Sequence, residues 1–229
     1  IRDSPNADGD PGDGTLVANE TTNDQGEYLF DNVDPGDYVV VENDPQNFRS
    51  TADTDGGNPN WTAVEVQGGT MSEGNDFLDT QLANISGRVL NDTDADGDPS
   101  DGDAGLPHVT IELFTDPNVD GDPSDGVLID STVTNDGGQY TFFDVEPGNY
   151  VVVETDPQDF RSVADATGAN DNRITVNMPG GTHSEDNDFY DTQLANIRGQ
   201  IRNDADGDGD PSEPEAGVEG VTVQSVSYT

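Results

Sequence analysis

The chain repeats itself, and the repeat sets the scale of anything it can fold into. GEYLFDNVDPGDYVVVENDPQNFRS at residues 26–50 returns as GQYTFFDVEPGNYVVVETDPQDFRS at 138–162, and NDFLDTQLANISGRVLND at 75–92 returns as NDFYDTQLANIRGQIRND at 187–204. Tyr28 falls on Tyr140, a shift of 112 residues, with no insertion or deletion between the copies. That period is too long for a solenoid element and suits one small domain with its own core. A string of similar domains is expected.

The phase of the repeat divides the chain. If a domain opens near Asn84 in ANISGRV, a complete copy runs over 83–194. Residues 1–82 then lack the opening strand, and 195–229 hold that strand and the loop after it. Two readings follow. The chain is a stretch of a longer array, or 195–229 of one molecule completes 1–82 of the next by donor-strand pairing. Only QLAN separates one apolar alternation from the next, without the Gly, Ser or Pro of a flexible connector. A stiff rod is the expectation.

Within the complete copy, short alternating runs bounded by turn residues predict strands at 84–90, 108–114, 127–134, 139–145, 149–155, 173–178 and 187–194. No segment has a helical period. Short strands at this density predict an all-β fold of tandem antiparallel β-sandwich domains. VEPGNY at 145–150 suggests a type II turn with Pro147 and Gly148 at its centre, joining strands 139–145 and 149–155 as a hairpin. Tyr140, Phe142, Tyr150, Val152 and Phe160 alternate as one inward face. Trp61, whose counterpart is Arg173, is expected to be an exposed strand residue.

Charge decides what could hold such strands together. The chain has 49 acidic residues against seven basic ones, all arginine, for a formal net charge of −42. Such a surface repels nucleic acid and anionic membranes and attracts cations. Low hydrophobicity with high net charge ordinarily means disorder, yet the apolar residues cluster in runs such as YVVVE and VTIEL, so order here is expected to depend on ions. With no cysteine there is no disulfide, and with no lysine there is no Lys-to-Asn isopeptide bond. No apolar run approaches the roughly 18 residues needed to span a bilayer, and no signal-peptide pattern is present. The acidity resembles that of halophilic or marine proteins.

The acidic stretches have metal-loop spacing. A 12-residue calcium loop draws oxygen ligands from positions 1, 3, 5, 7, 9 and 12, with glycine at 6. Numbering from Asp92 puts Asp94, Asp96, Gly97, Asp98, Ser100 and Asp103 at positions 3, 5, 6, 7, 9 and 12, with Asp101 between the last two. One period later Asp204, Asp206, Asp208, Gly209, Asp210, Ser212 and Glu215 fill the same positions, with a glutamate at the twelfth. The flanks read as strands, so the loop stands without the helices of an EF-hand. Carboxylates this close repel one another, and a divalent cation converts that repulsion into binding coupled to folding. The alternative is a solvated acidic turn. A second loop keeps part of the pattern, with Asn118, Asp120, Asp122 and Asp125 in one copy and Asn6, Asp8, Asp10 and Asp13 in the other. A third group, Asp165, Asp171, Asp186 and Asp188, has no loop spacing. Several Ca²⁺ ions per domain are expected.

The acidic loop and strand NDTDADGDPSDGDAGLPHVTIELF, then TNDGGQYTFFDVEPGNYVVVE, then DNDF, together resemble the B domains of serine-aspartate repeat surface proteins of Gram-positive bacteria, relatives of the collagen-adhesin B-type fold. The likeness covers the whole period. It implies a seven-stranded immunoglobulin-like sandwich that binds several calcium ions and serves as a stiff stalk outside the cell. Carried over residue by residue, Asp92, Asp94, Asp96, Asp98 and Asp103 match the family's calcium ligands. The chain departs from the pattern at Val89, where an aromatic residue is frequent, and in lacking lysine.

The leading functional expectation is an extracellular, calcium-rigidified rod, stalk or filament whose partners are calcium and neighbouring repeats or like chains end to end. Adhesin repeats binding a glycan or protein are the alternative, though no exposed aromatic recurs in a fixed place. An enzyme is not expected. His108 and His183 stand opposite Gly220 and Met71 in the other copies, and nucleophile and base candidates are scarce.

Overall fold

The computed structural model describes residues 1–54, 56, 60–98, 102–210, 212 and 214–226. The chain falls into two compact units, residues 1–193 and 194–229. In chain order the strands of the first unit are β1 (Arg2–Asp3), β2 (Gly36–Val41), β3 (Phe48–Asp53), β4 (Trp61–Val66), β5 (Phe77–Gln81), β6 (Ala83–Asn91), β7 (Ala104–Gly105), β8 (Thr110–Thr115), β9 (Leu128–Val133), β10 (Gln139–Val145), β11 (Gly148–Thr155), β12 (Phe160–Asp165), β13 (Arg173–Met178) and β14 (Phe189–Gln193). A 3-10 turn, Pro123–Asp125, is capped by Asp122, whose side chain accepts from the Ser124 N–H.

The second copy of the repeat forms a sandwich. One sheet runs β10-β6-β14-β12 with β7 beside β6, and the other runs β13-β11-β8-β9. Alternation along each strand turns the apolar side chains inward. Ile85 and Val89 from β6, Phe142 from β10 and Phe189 from β14 meet Ile111 and Leu113 from β8, Val152 from β11, and Ile174 and Val176 from β13. Tyr140 packs edge-on to Phe142 with ring centroids 5.9 Å apart, and its hydroxyl donates to the Asn187 carbonyl at 2.5 Å.

Several details differ from the sequence expectation. Strands 139–145 and 149–155 do not form a hairpin, because β10 pairs with β6 in one sheet while β11 pairs with β8 and β13 in the other. Their aromatic residues therefore face each other across the core instead of sharing one face. The connection crosses between sheets, and it is Asp144, at φ 55°, that takes the left-handed conformation; Gly148 does not, so the turn is not type II. The ladder of β10 on β6 shifts register between Phe142 and Val145, as a bulge does. Phe160 lies only half-buried on β12, a strand absent from the expected set. β14 runs parallel to β6, placing first and last strands of the domain side by side in an otherwise antiparallel fold. Trp61 is 37% exposed on β4.

The first copy has the sheets β1-β2-β4 and β3-β5 around a smaller core of Ile1, Tyr38, Val40 and Val64. Residues 26–33, the counterparts of β10's region, form no strand, and Tyr28 and Phe30 stay half-buried where Tyr140 and Phe142 are fully covered. The neighbour that β6 supplies to β10 has no counterpart here among the described residues.

The two copies join through one residue. β5 ends at Gln81 and β6 begins at Ala83, with Leu82 between them donating its N–H to Asn47 at 2.8 Å. The Gly181 N–H donates to the Gln81 carbonyl at 2.9 Å, and Arg49 pairs with Glu146. In the second unit, Arg202 bridges Gly217, as Leu90 pairs with Gly105 one period earlier.

Candidate metal centre

The acidic loops share one backbone design, and those of the first unit leave the ends of strands. In the loop after β6, Asp92 is 1% exposed, and its carboxylate accepts the N–H groups of Ala95 at 2.6 Å, Asp96 at 3.2 Å and Gly97 at 2.7 Å. The Asp96 carboxylate accepts the Asp98 N–H at 2.8 Å. Ala95 and Gly97 both take left-handed backbone, at φ 64° and 74°, folding the chain back over the first aspartate. Ligand oxygens of Asp92, Asp94 and Asp96 lie within 4.8 Å of one another. Ser100 and Asp101 lie outside the described residues. Asp98 and Asp103 are not members of that compact group.

The loop of the second unit is built the same way. Asp204 accepts from Gly207 at 2.6 Å and from Gly209 at 3.0 Å, and these two glycines carry the left-handed backbone. Asp204, Asp206 and Glu215 come within 4.8 Å of one another, so the twelfth position closes on the first and third. Glu215 also accepts the Ala205 N–H at 3.1 Å. Asp208 and Asp210 instead accept the N–H groups of Asp210 and Ser212, each at 2.8 Å. The Ser212 hydroxyl and N–H hold the Asp210 carboxyl below its usual range.

The loop after β8 adds a residue that spacing from Asn118 misses. Its first position is Asp116, which is buried and accepts from Asp120 at 3.2 Å and Gly121 at 3.1 Å. Val119 and Gly121, at φ 61° and 75°, repeat the fourth- and sixth-position geometry. Asp116, Asp120 and Asp125 form the compact group, whereas Asn118 donates its amide to Asp120 at 3.0 Å. Asp122 lies outside that group, its carboxyl held below the usual range by the Ser124 N–H and further by Arg173. Counting back two residues from Asn118 would have found Asp116 in the sequence.

The matching loop of the first copy is weaker. Ser4 replaces the first aspartate, and its buried hydroxyl has no hydrogen-bond partner. Asn6, Asp8, Asp10 and Asp13 keep the chain path, with Ala7 and Gly9 left-handed and the Asp10 N–H donating to Asp8 at 2.9 Å. No compact carboxylate group forms among the described residues of that loop. Asp165, Asp171, Asp186 and Asp188 likewise form no compact group among the described residues. Asp188 takes the Arg88 guanidinium at 2.7 Å, and Asp165 accepts from the Thr167 N–H at 2.9 Å.

These loops have the donor set of a hard divalent cation: oxygen only, several carboxylates, and backbone N–H groups turning each first-position carboxylate inward. Their residues fit calcium in type and order. Where the first carboxylate is present, its Oδ2 receives the sixth-position N–H and its Oδ1 accepts from the fourth- or fifth-position N–H.

The chain is 27% identical over 224 residues, 91% of its length, to serine-aspartate repeat-containing protein D of Staphylococcus aureus strain Newman, and 25% identical over 226 residues to serine-aspartate repeat-containing protein F of Staphylococcus epidermidis strain ATCC 12228. It spans only 16% and 13% of those relatives. Among solved structures, the shaft pilin SpaA of Lactobacillus rhamnosus GG aligns with 50% of the chain and 51% of its own, at 14% identity and a TM-score of 0.36. The family described as SdrD B-like domain matches residues 10–75 and 83–188, most of the chain. With its repeat, its sandwich and its acidic loops accounted for together, the chain belongs to the SdrD B-like domain family.

Proposed function

We propose that this chain is a run of extracellular β-sandwich repeats on a cell surface, in which calcium bound by the acidic loops fixes the domains into a stiff stalk or filament. The observation that carries this reading is the recurring loop geometry: Asp92 follows β6, Asp116 follows β8 and Asp204 stands two residues past the Arg202 bridge, each with the sixth-position N–H on one carboxylate oxygen. The names of the serine-aspartate repeat relatives agree with a repeat role. The single-residue joint at Leu82 supports stiffness, because so short a connection leaves few torsions free. Residues 83–194 make the complete domain in this reading, 1–82 a domain short of its opening strand, and 195–229 the opening strand and calcium loop of a further one.

Calcium outside cells reaches millimolar levels, and extracellular modules bind it with Kd of roughly 0.1–1 mM. At about 2 mM calcium and Kd about 0.1 mM, each site stabilises its domain by about 1.8 kcal/mol. Melting the chain in calcium and in EGTA tests this. A midpoint several degrees higher in calcium than in magnesium or sodium at matched ionic strength is expected. Identical midpoints in calcium and EGTA would remove the cation from the account.

A second reading has its own observation. Among the described residues, 26–33 have no strand partner like the one β6 gives to β10, and 195–203 repeat the β6 sequence. Donor-strand pairing between chains would fill that position. Sedimentation across a wide concentration range distinguishes the two: end-to-end oligomers support pairing, and a monomer throughout rejects it.

A further inference from the structure

The loops do not account for every unbalanced charge. Glu154 on β11 and Asp191 on β14 are 3% and 0% exposed, and all four of their carboxyl oxygens lack a hydrogen-bond partner. β11 and β14 belong to opposite sheets, so the two side chains meet across the interior. Asp156, just past β11, completes the group, with ligand oxygens of the three within 4.8 Å of one another. Asp156 is held from behind, accepting the Asn172 side-chain amide at 2.5 Å and the Ser162 N–H at 3.3 Å. At neighbouring ladder positions, the buried Oδ1 of Asn91 and Oγ of Ser162 also lack partners.

Burial drives the Glu154 and Asp191 carboxyls well above their usual range, and the charges of neighbouring acids add to it. An anionic cluster inside a domain needs a compensating charge. Among the described residues no arginine is paired with it, and the chain has no lysine. The arrangement recurs one period earlier. Glu42, Asp44 and Asp79 form the same compact group, the Asn60 amide donates to Asp44 at 2.5 Å, and the Oε2 of Glu42 and Oδ1 of Asp79 are buried without partners. Burial, with the charges of Asp79 and Asp44, raises Glu42 to about 7.

We propose that Glu154, Asp156 and Asp191, and in the preceding copy Glu42, Asp44 and Asp79, each bind a divalent cation that ties the two sheets of the sandwich together. Oxygen-only ligation selects a hard ion, calcium or magnesium, over zinc or copper. The site's buried ligands Glu154 and Asp191 lie on strands instead of in the acidic loops. It draws its ligands from residues far apart in sequence, and it stands or falls separately from the acidic loops. A bond between two carboxyl groups requires that one carry a proton, so a shared proton is the competing way to neutralise the pair.

Native mass spectrometry of the full chain in calcium chloride counts the bound ions. E42Q/D79N/E154Q/D191N is expected to bind two fewer ions than the parent chain, whereas D92N loses only its loop ion. In EGTA the quadruple variant is expected to melt at or above the parent's midpoint, since buried repulsion is gone, and to gain less from added calcium. D156N alters the exposed ligand alone; it keeps the fold and is expected to weaken one site at least tenfold. An unchanged ion count in the quadruple variant, with D156N binding like the parent, would overturn the proposal and leave the shared proton. Loss of loop ions in D92N together with an unchanged count in the quadruple variant would defeat this proposal while sparing the loops.

Discussion

Replacing Asp92 by alanine removes the acceptor for three backbone N–H groups, at 2.6, 3.2 and 2.7 Å, from a side chain that is 1% exposed. Hydrogen bonds to a charged group contribute about 1.5–3 kcal/mol each. Two of these are short, the third is long, and the freed N–H groups lie in a loop that water reaches. The net cost to the complete domain in EGTA is therefore about 3–4 kcal/mol. Asp92→Asn keeps an acceptor for Ala95 and Asp96 but turns an amide donor toward the Gly97 donor, costing about 1–2 kcal/mol. With about 2 mM calcium the difference widens by a further 1.8 kcal/mol or so, because only the parent gains the ion at that loop. Urea denaturation followed by circular dichroism measures the cost, and hydrogen exchange at β6 and β10 assigns it to the complete domain. A cost below about 1 kcal/mol for Asp92→Ala in EGTA would refute the reasoning, since the carboxylate would then not be what holds the loop.

Phe142→Ala empties a fully buried ring position between the sheets and is expected to cost about 3–5 kcal/mol, read as a lower urea midpoint. Gly87→Ala would place a Cβ 2.0 Å from the Asn187 carbonyl oxygen, forcing backbone apart where β6 lies beside the segment entering β14, for a loss of about 3 kcal/mol in the same assay. Tyr140→Phe loses the buried bond to Asn187, costing about 1–2 kcal/mol. Burial, with Asp188 and Glu154, pushes the Tyr140 hydroxyl well above its ordinary value, so the folded state keeps it neutral while the unfolded chain ionises near pH 10 or so. Stability should fall as pH rises past about 10, and less steeply in Tyr140→Phe. Arg49→Ala removes an ion pair that is half-exposed on both sides and should change stability by less than about 0.5 kcal/mol.

The sequence made the repeat and its acidic loops readable because both are local: a period is found by self-comparison, and a loop's ligands follow one another along the chain. Strand positions were legible where β-branched and aromatic residues alternate, as in β10, β11 and β13. β12 was not, because FRSVAD carries too few apolar residues to announce a strand that pairs through its backbone with β14. Alternation gives each strand an inward face but names no neighbour. The crossing between β10 and β11 was therefore hidden by a Pro-Gly pair that usually marks a hairpin. Asp116 escaped because it falls between the strand expected at 108–114 and a loop counted from Asn118. Glu154 and Asp191 escaped for a deeper reason: they are 37 residues apart, and only pairing of their strands into facing sheets brings their carboxylates together.

Crystals of the chain grown in calcium, with anomalous scattering used to place the ions, test the central claim most directly. The account predicts an ion against Asp92, Asp94 and Asp96, another against Asp204, Asp206 and Glu215, and a third against Asp116, Asp120 and Asp125. Water alone at all three loops, in crystals holding millimolar calcium, would contradict it.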